Sequence, residues 1–191
     1  DKLQEITPEA NEEELLEMNK LIAGITLTSQ GINFLHAGEE LARTKVDENG
    51  NLVENSYCSS DKVNKIEWNR KIQYKDLFEY YKGLVALRKE YKSFRMDSKK
   101  DINANLRFLS IGENFKDKNV IAYTINAKEL GDSCQQLAVI INGNENEVEV
   151  KLPSAKWDVV VDKNKSGVES IREVDGDTVK VDRKSIIVLR K

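Results

Sequence analysis

The sequence predicts an α+β chain in which the last βα unit or units of a (β/α)8 barrel run into an all-β antiparallel sandwich domain. Three observations predict it. Apolar residues recur at helical spacing in two long segments of the first half. Beyond Phe94 the spacing changes to alternation, and turn-forming clusters then interrupt the chain at short intervals.

Residues 12–29, EEELLEMNKLIAGITLTS, place Leu15, Met18, Leu21, Ile22 and Ile25 on one face behind an acidic first turn, which a helix dipole favours. Gln30 and Gly31 break this helix. The run INFL, residues 32–35, reads as a short buried strand that turns polar at His36. Residues 42–73 are rich in Asn, Asp, Ser and Lys and form one long loop, a length that is usually functional or disordered. Residues 74–91 set Leu77, Phe78, Tyr81, Leu84, Val85 and Leu87 along one stripe of a second amphipathic helix.

Alternating or apolar runs follow at residues 106–111, 120–125, 137–142, 148–152, 157–161, 178–181 and 186–189, separated by NGNEN, LPSA, NKSG and VDGD. Seven or eight short strands describe an antiparallel sandwich or barrel. The boundary falls near residues 92–103, giving a unit of residues 1–95 and a β unit of residues 96–191 that closes a core of its own. The first unit looks incomplete, because one parallel strand needs strand neighbours and cover on both faces. Its order suits the final turn of a β/α barrel, where functional groups sit on loops after the strands.

Composition narrows the function. In 191 residues, 30 basic side chains nearly balance 33 acidic ones, and the net charge of -3 suits neither a nucleic-acid surface nor anionic lipid. No run approaches the ~18 apolar residues of a membrane span, and no charged-then-apolar leader opens the chain. The start, DKLQE, lacks Met, so a piece of a longer protein is expected. Cys58 and Cys134 show no metal-ligand spacing and are expected as free thiols. DENGN, residues 47–51, is too short an acidic stretch to assign to calcium, and no metal or cofactor is expected. The motifs G-x-S-x-G, G-x-G-x-x-G and G-x-x-x-x-G-K are absent, which disfavours serine-hydrolase and phosphate-cradle chemistry.

Two segments carry candidate chemistry. GINFLHAGEELART, residues 31–44, ends an apolar run in the only histidine, His36, followed by Glu39, Glu40 and Arg43. Alone it reads as a solvated helix start; after a barrel strand it reads as a ligand-facing loop. ENSYCSSDKVNKIEW, residues 54–68, gathers Asn55, Tyr57, Asp61 and Asn64. Carboxylate, amide and aromatic groups together suit sugars, whose hydroxyls need paired donors and acceptors and whose C–H faces pack on rings. The competing reading is a polar connection, with Trp68 as a packed anchor.

The segments SQGINFLHAGEELARTK, ENSYCSSDKVNKIEWNRK and YYKGLVALRKEYKSFRM resemble the end of the catalytic barrel in type I pullulanases, starch-debranching members of glycoside hydrolase family 13. The resemblance covers residues 1–96 and continues loosely through LPSAKWDVVVDKNKSG and VDRKSIIVLRK, which are similar to that family's terminal sandwich. It implies the C-terminal part of an enzyme that hydrolyses α-1,6 branch linkages in pullulan, starch or glycogen. Such enzymes retain configuration with a nucleophile and an acid/base carboxyl, helped by a third carboxylate. The resemblance puts all three before Asp1, so no residue of this chain is expected to be catalytic and the fragment is expected to be inactive alone. Glu39 and Glu40 do not fill the gap, because adjacent residues point apart and cannot flank one bond.

By the same resemblance Glu40 and Arg43 shape the floor of the cleft. Asn55, Tyr57 and Asp61 fit the N-S-Y-N-x-x-D pattern bordering the donor-side sugar subsites, with Cys58 in place of the second Asn. The expected partner is an α-glucan, with neither nucleic acid nor membrane, and self-association of the fragment through its uncovered surface. The β unit offers only Phe108, Phe115, Tyr123 and Trp157, too few for an aromatic binding platform, so a structural role against the barrel is expected. The alternative is a non-catalytic β-sandwich adaptor or glycan-binding module with a helical extension.

Overall fold

Asn11 starts the helical half. In the computed structural model, which describes residues 2–111 and 119–191, its side chain accepts from the Glu14 amide at 3.0 Å while Glu14 accepts from the Asn11 amide at 3.1 Å. This capping box satisfies two orphan donors and opens α2 (Glu12–Thr28), which follows the short α1 (Lys2–Ile6). The helix ends where the Ser29 amide reaches the Ile25 carbonyl at 3.1 Å.

The face of α2 that is buried is not the expected stripe. Ala23, Gly24, Leu27 and Thr28 are buried, together with the charged Glu17, while Ile22 and Ile25 remain 44% and 36% exposed. Gly24 decides this: a Cβ there would lie 2.5 Å from Ile186 Cγ2, so only the small-residue face lets the helix settle on the sheet. On α5 (Lys75–Glu90) the buried residues are Leu77, Tyr80, Tyr81, Leu84 and Leu87, with Tyr80 in place of the expected Phe78 and Val85. The two helices pack on each other.

The expected strand at residues 32–35 does not form. The segment has no regular secondary structure and is unpaired, with Ile32 and Phe34 104% and 85% exposed, because the described residues supply no neighbouring strand. The 42–73 loop has more order than its composition suggests. Val46 bridges Leu52 around an Asp47-centred turn, and two single-turn helices follow, α3 (Asp61–Asn64) and α4 (Arg70–Gln73). A third short helix, α6 (Lys99–Asn105), capped by Ser98, leads into the sheet and went unread in the sequence.

The strands are β1 (Leu106–Phe108), β2 (Val120–Ile125), β3 (Leu137–Asn142), β4 (Val148–Lys151), β5 (Trp157–Val161), β6 (Arg172–Val174), β7 (Thr178–Val181) and β8 (Ser185–Arg190). Only β6 has no counterpart in the sequence reading. Six of them form an antiparallel sheet in the order β1-β2-β3-β8-β5-β6, and β4 pairs with β7 in a separate ribbon. Phe115 lies outside the described residues. Alternation along β3 sends Ala138 and Ile140 to the core under the ribbon, with Val148, Val150, Trp157 and Val179. Leu137, Val139 and Ile141 face the opposite way, into a core shared with Leu27, Tyr81, Leu84 and Leu87 of the helices. The β unit thus has a core of its own on one side, and the helices cover the other.

Polar ties cross this junction. The Tyr80 hydroxyl donates to the Asp162 carbonyl at 2.9 Å, and burial drives its ionisation far above the usual tyrosine range. Tyr123 donates to the Thr28 carbonyl at 3.1 Å. The buried Glu17 carboxylate meets Lys163 at 2.7 Å and Arg183 at 3.3 Å. Cys58 is exposed, whereas Cys134 is buried and its thiol is pushed up to about 11; both are free. No helix among the described residues is long and apolar enough to cross a membrane.

Gly83 of α5 sits where a Cβ would be 2.1 Å from the Ser166 carbonyl oxygen, so the helix and the β5–β6 connection touch backbone to backbone. Gly83→Ala is therefore expected to lower the unfolding free energy in urea by about 1–3 kcal/mol through overpacking. Gly167→Ala, which meets no atom within 4 Å, serves as the control and should change it by less than about 0.5 kcal/mol.

Candidate functional site

The turn at residues 36–43 is built on Gly38. Its φ of 99° is left-handed, and a Cβ would lie 2.6 Å from Arg43 Cδ, so both conformation and space require glycine. Its carbonyl accepts from the Leu41 and Arg43 amides at 3.0 and 2.9 Å, driving Leu41 into the core. Glu39 and Glu40 fold back on the same turn: Glu39 accepts from the His36 amide at 3.1 Å, and Glu40 accepts from the Gly38 amide at 3.0 Å. Each carboxylate thus has one oxygen engaged in shaping the turn.

Arg43 links this turn to the loop of residues 54–64. Its Nη1 donates to the Ala37 carbonyl at 3.1 Å and its Nη2 to the Asn64 carbonyl. Asn64 in turn donates to the carbonyls of Ser56 and Ser59 at 2.7 and 3.0 Å, and Lys45 reaches the buried Ser56 hydroxyl at 2.6 Å. Arg70 holds the other side through the Leu41 carbonyl at 3.2 Å and the Ala42 carbonyl. Asn55, Tyr57 and Asp61 stand on this frame with exposed side chains, Tyr57 at 84%. Trp68 is 67% exposed rather than the packed anchor the sequence suggests, because the single turn of α4 gives it nothing to lie against.

A cavity of about 430 Å³ opens beside the turn, bounded by His36, Glu39, Arg43, Lys45 and Tyr81. The Tyr81 hydroxyl donates to Asn19 Oδ1 at 2.6 Å, and Asn19 donates to the Glu39 carbonyl at 3.2 Å. Burial, with Glu39 and Glu40 nearby, raises the Tyr81 ionisation well above its ordinary value. Of the residues singled out in the sequence, His36, Glu39 and Arg43 line this cavity, whereas Glu40, Asn55, Tyr57 and Asp61 do not. Asn19, Tyr81 and Asn64 were not singled out for these ties. The available signal was an amide in the middle of a helix and a phenol within an apolar stripe. Among the described residues no group of three or more His, Cys, Asp or Glu could hold a metal ion.

Residues 102–165 match the family model described as the pullulanase all-β domain. Among characterised proteins, the pullulanase of Bacillus subtilis (strain 168) is 34% identical over 154 residues, 81% of this chain and 20% of that protein. Pullulanase A of Streptococcus pneumoniae is 31% identical, over 80% of this chain and 15% of that protein. Among solved structures, a pullulanase from Bacillus acidopullulyticus superposes with a TM-score of 0.88 at 32% identity, covering 100% of this chain and 22% of that one. A pullulanase from Anoxybacillus sp. LM18-11, complexed with maltotetraose, gives 0.83 at 28%, covering 100% of this chain and 25% of that one.

The fold class is that of the antiparallel sheet and helices found in these enzymes. By sequence and fold the chain is similar to a segment of pullulanases, and it spans about a fifth or less of the length of the curated relatives it matches.

Arg43→Met keeps the stem and removes the donors that tie turn to loop. The opening free energy of residues 55–64 should fall by about 1.5–3 kcal/mol, the range for hydrogen bonds to a charged group. Amide exchange should quicken in that loop and stay unchanged in α5; unchanged exchange in the loop removes Arg43 from this role.

Proposed function

We propose that the chain is the C-terminal part of a type I pullulanase-type glycoside hydrolase, with residues 1–95 ending its (β/α)8 barrel and residues 96–191 forming its β-sandwich domain. The whole enzyme hydrolyses α-1,6 linkages in pullulan, starch or glycogen. The observation that carries this reading is the superposition of the entire chain on a pullulanase at a TM-score of 0.88 and 32% identity. Supporting it, the similar structures include complexes with maltose and maltotetraose. In this reading the exposed Asn55, Tyr57 and Asp61 contact the glucan, while Glu40 and Arg43 set the turn and loop beneath it.

The carboxylates of the reaction lie outside the chain, so purified fragment incubated with pullulan should release no reducing ends above buffer. The longer protein containing it should release them, and its Tyr57→Ala variant should raise KM about tenfold with kcat largely retained, as loss of a binding contact does. Turnover by the fragment that survives repurification, or a longer protein inert on pullulan, overturns the proposal.

The isolated fragment self-associates. Ile22, Ile25, Ile32 and Phe34 are exposed, and the unpaired segment at residues 32–35 offers free backbone groups to another chain. Light scattering over a dilution series should show mass rising with concentration; a monomer at every concentration refutes this.

A further inference from the structure

A second cavity, of about 530 Å³, lies away from the turn and loop described above, where the helices meet the β layer. Its walls come from four separate stretches: α2, the corner between α4 and α5, the connection that follows β5 and the one that follows β7. None of Glu40, Arg43, Asn55, Tyr57 or Asp61 lines it. The back wall is fixed by the ion pair of Glu17 and Lys163 at 2.7 Å. Tyr74 forms part of the rim, held by its hydroxyl's bond to Glu12 at 2.6 Å and by the Arg70 guanidinium 4.7 Å from its ring centroid.

Lys20 is the informative group. Its ammonium lies 5.3 Å from the Tyr80 ring centroid, and none of the described residues gives it a hydrogen bond or an ion pair. Asp76, Glu17 and Asp162 act on it only from a longer range, and burial lowers its affinity for the proton. Lys20 lines the cavity, and its ammonium has N–H donors that no hydrogen bond among the described residues engages.

The charge pattern selects the ligand. Glu13, Glu17, Asp76 and Asp182 outnumber Lys20, Lys75 and Lys163 around the cavity, which disfavours a phosphate or carboxylate guest. Apolar guests would strip water from charged groups with no return. A neutral polyol meets both demands, since each hydroxyl can accept from an ammonium or amide and donate to a carboxylate. The volume is that of a small-ligand site.

We propose that this interlayer cleft is a second carbohydrate-binding site, taking a short neutral oligosaccharide whose hydroxyls bridge Lys20 on α2, Asp76 on α5 and Asn164 on the β5–β6 connection. The site rests on the reading of the chain as part of an α-glucan hydrolase for its sugar, but on its own geometry for its place. It anchors glucan at a point where binding depends on the docking of the two layers.

Maltotriose titrated into the folded 191-residue chain, followed by amide chemical shifts, tests it. Shifts at residues 73–77 and 163–164 are expected, and Lys20→Met and Asp76→Ala should each weaken binding at least tenfold while Tyr57→Ala leaves these shifts in place. Among the described residues neither Lys20 nor Asp76 has a hydrogen bond to lose, Lys20 gives up only its contact with the Tyr80 ring, and thermal unfolding checks that both variants remain native. The wild-type shift map stands as the test where a variant unfolds. No shifts at saturating maltotriose, shifts confined to residues 54–61, or displacement of the sugar by inorganic phosphate overturns the proposal. Failure of debranching by the longer protein leaves this readout unaffected, so the two readings fail separately.

Discussion

Gly24 brings the backbone of α2 within side-chain reach of Ile186 on β8, and the arrangement of the helical half depends on that contact. The central strands β3 and β8 are buried along nearly their whole length, so the sheet needs cover on both faces. The β4–β7 ribbon covers one face, and α2 and α5 cover the other. Burial of side chains such as Leu27, Leu84, Leu137 and Val188 contributes on the order of 1.5–3 kcal/mol each.

Once α2 is seated by its small residues, its bulkier apolar side chains are turned away from the sheet. Ile22 and Ile25 join Ile32 and Phe34 as exposed apolar groups for which the described residues supply no cover. The same seating places Asn19 under Glu39 and beside Tyr81, so the position of the Gly38 turn is inherited from the helix-sheet contact through two hydrogen bonds. From that turn Arg43 carries the constraint to Asn64 and the loop of residues 54–64. The chain of dependence therefore runs from a glycine on a helix to exposed polar groups on a distant loop.

The buried ion pair of Glu17 and Lys163 follows the same logic. A carboxylate on the sheet-facing side of α2 is tolerable only because the β5–β6 connection and Arg183 bring cations to it. That arrangement leaves a polar cleft between layers rather than a continuous apolar seam.

Local pattern was enough for much of the fold. The acidic first turn of α2, the period of α5 and the alternation of β2, β3, β5 and β7 are properties of neighbouring residues, and each element appears where the sequence puts it. The motifs from Gly31 to Thr44 and from Glu54 to Trp68 likewise identified the pullulanase resemblance without any coordinates. Tertiary structure decided what depends on distant partners. Residues 32–35 have a strand's composition but form no ladder, because a parallel strand exists only beside another strand. Trp68 has an anchor's composition but no wall to meet. Which face of α2 turns inward was settled by close approach at Gly24, a steric fact that an apolar periodicity cannot express. Asn64, which Arg43 ties to the turn, lies 21 residues away in sequence and Lys163 lies farther still from Glu17, beyond the reach of any local spacing rule.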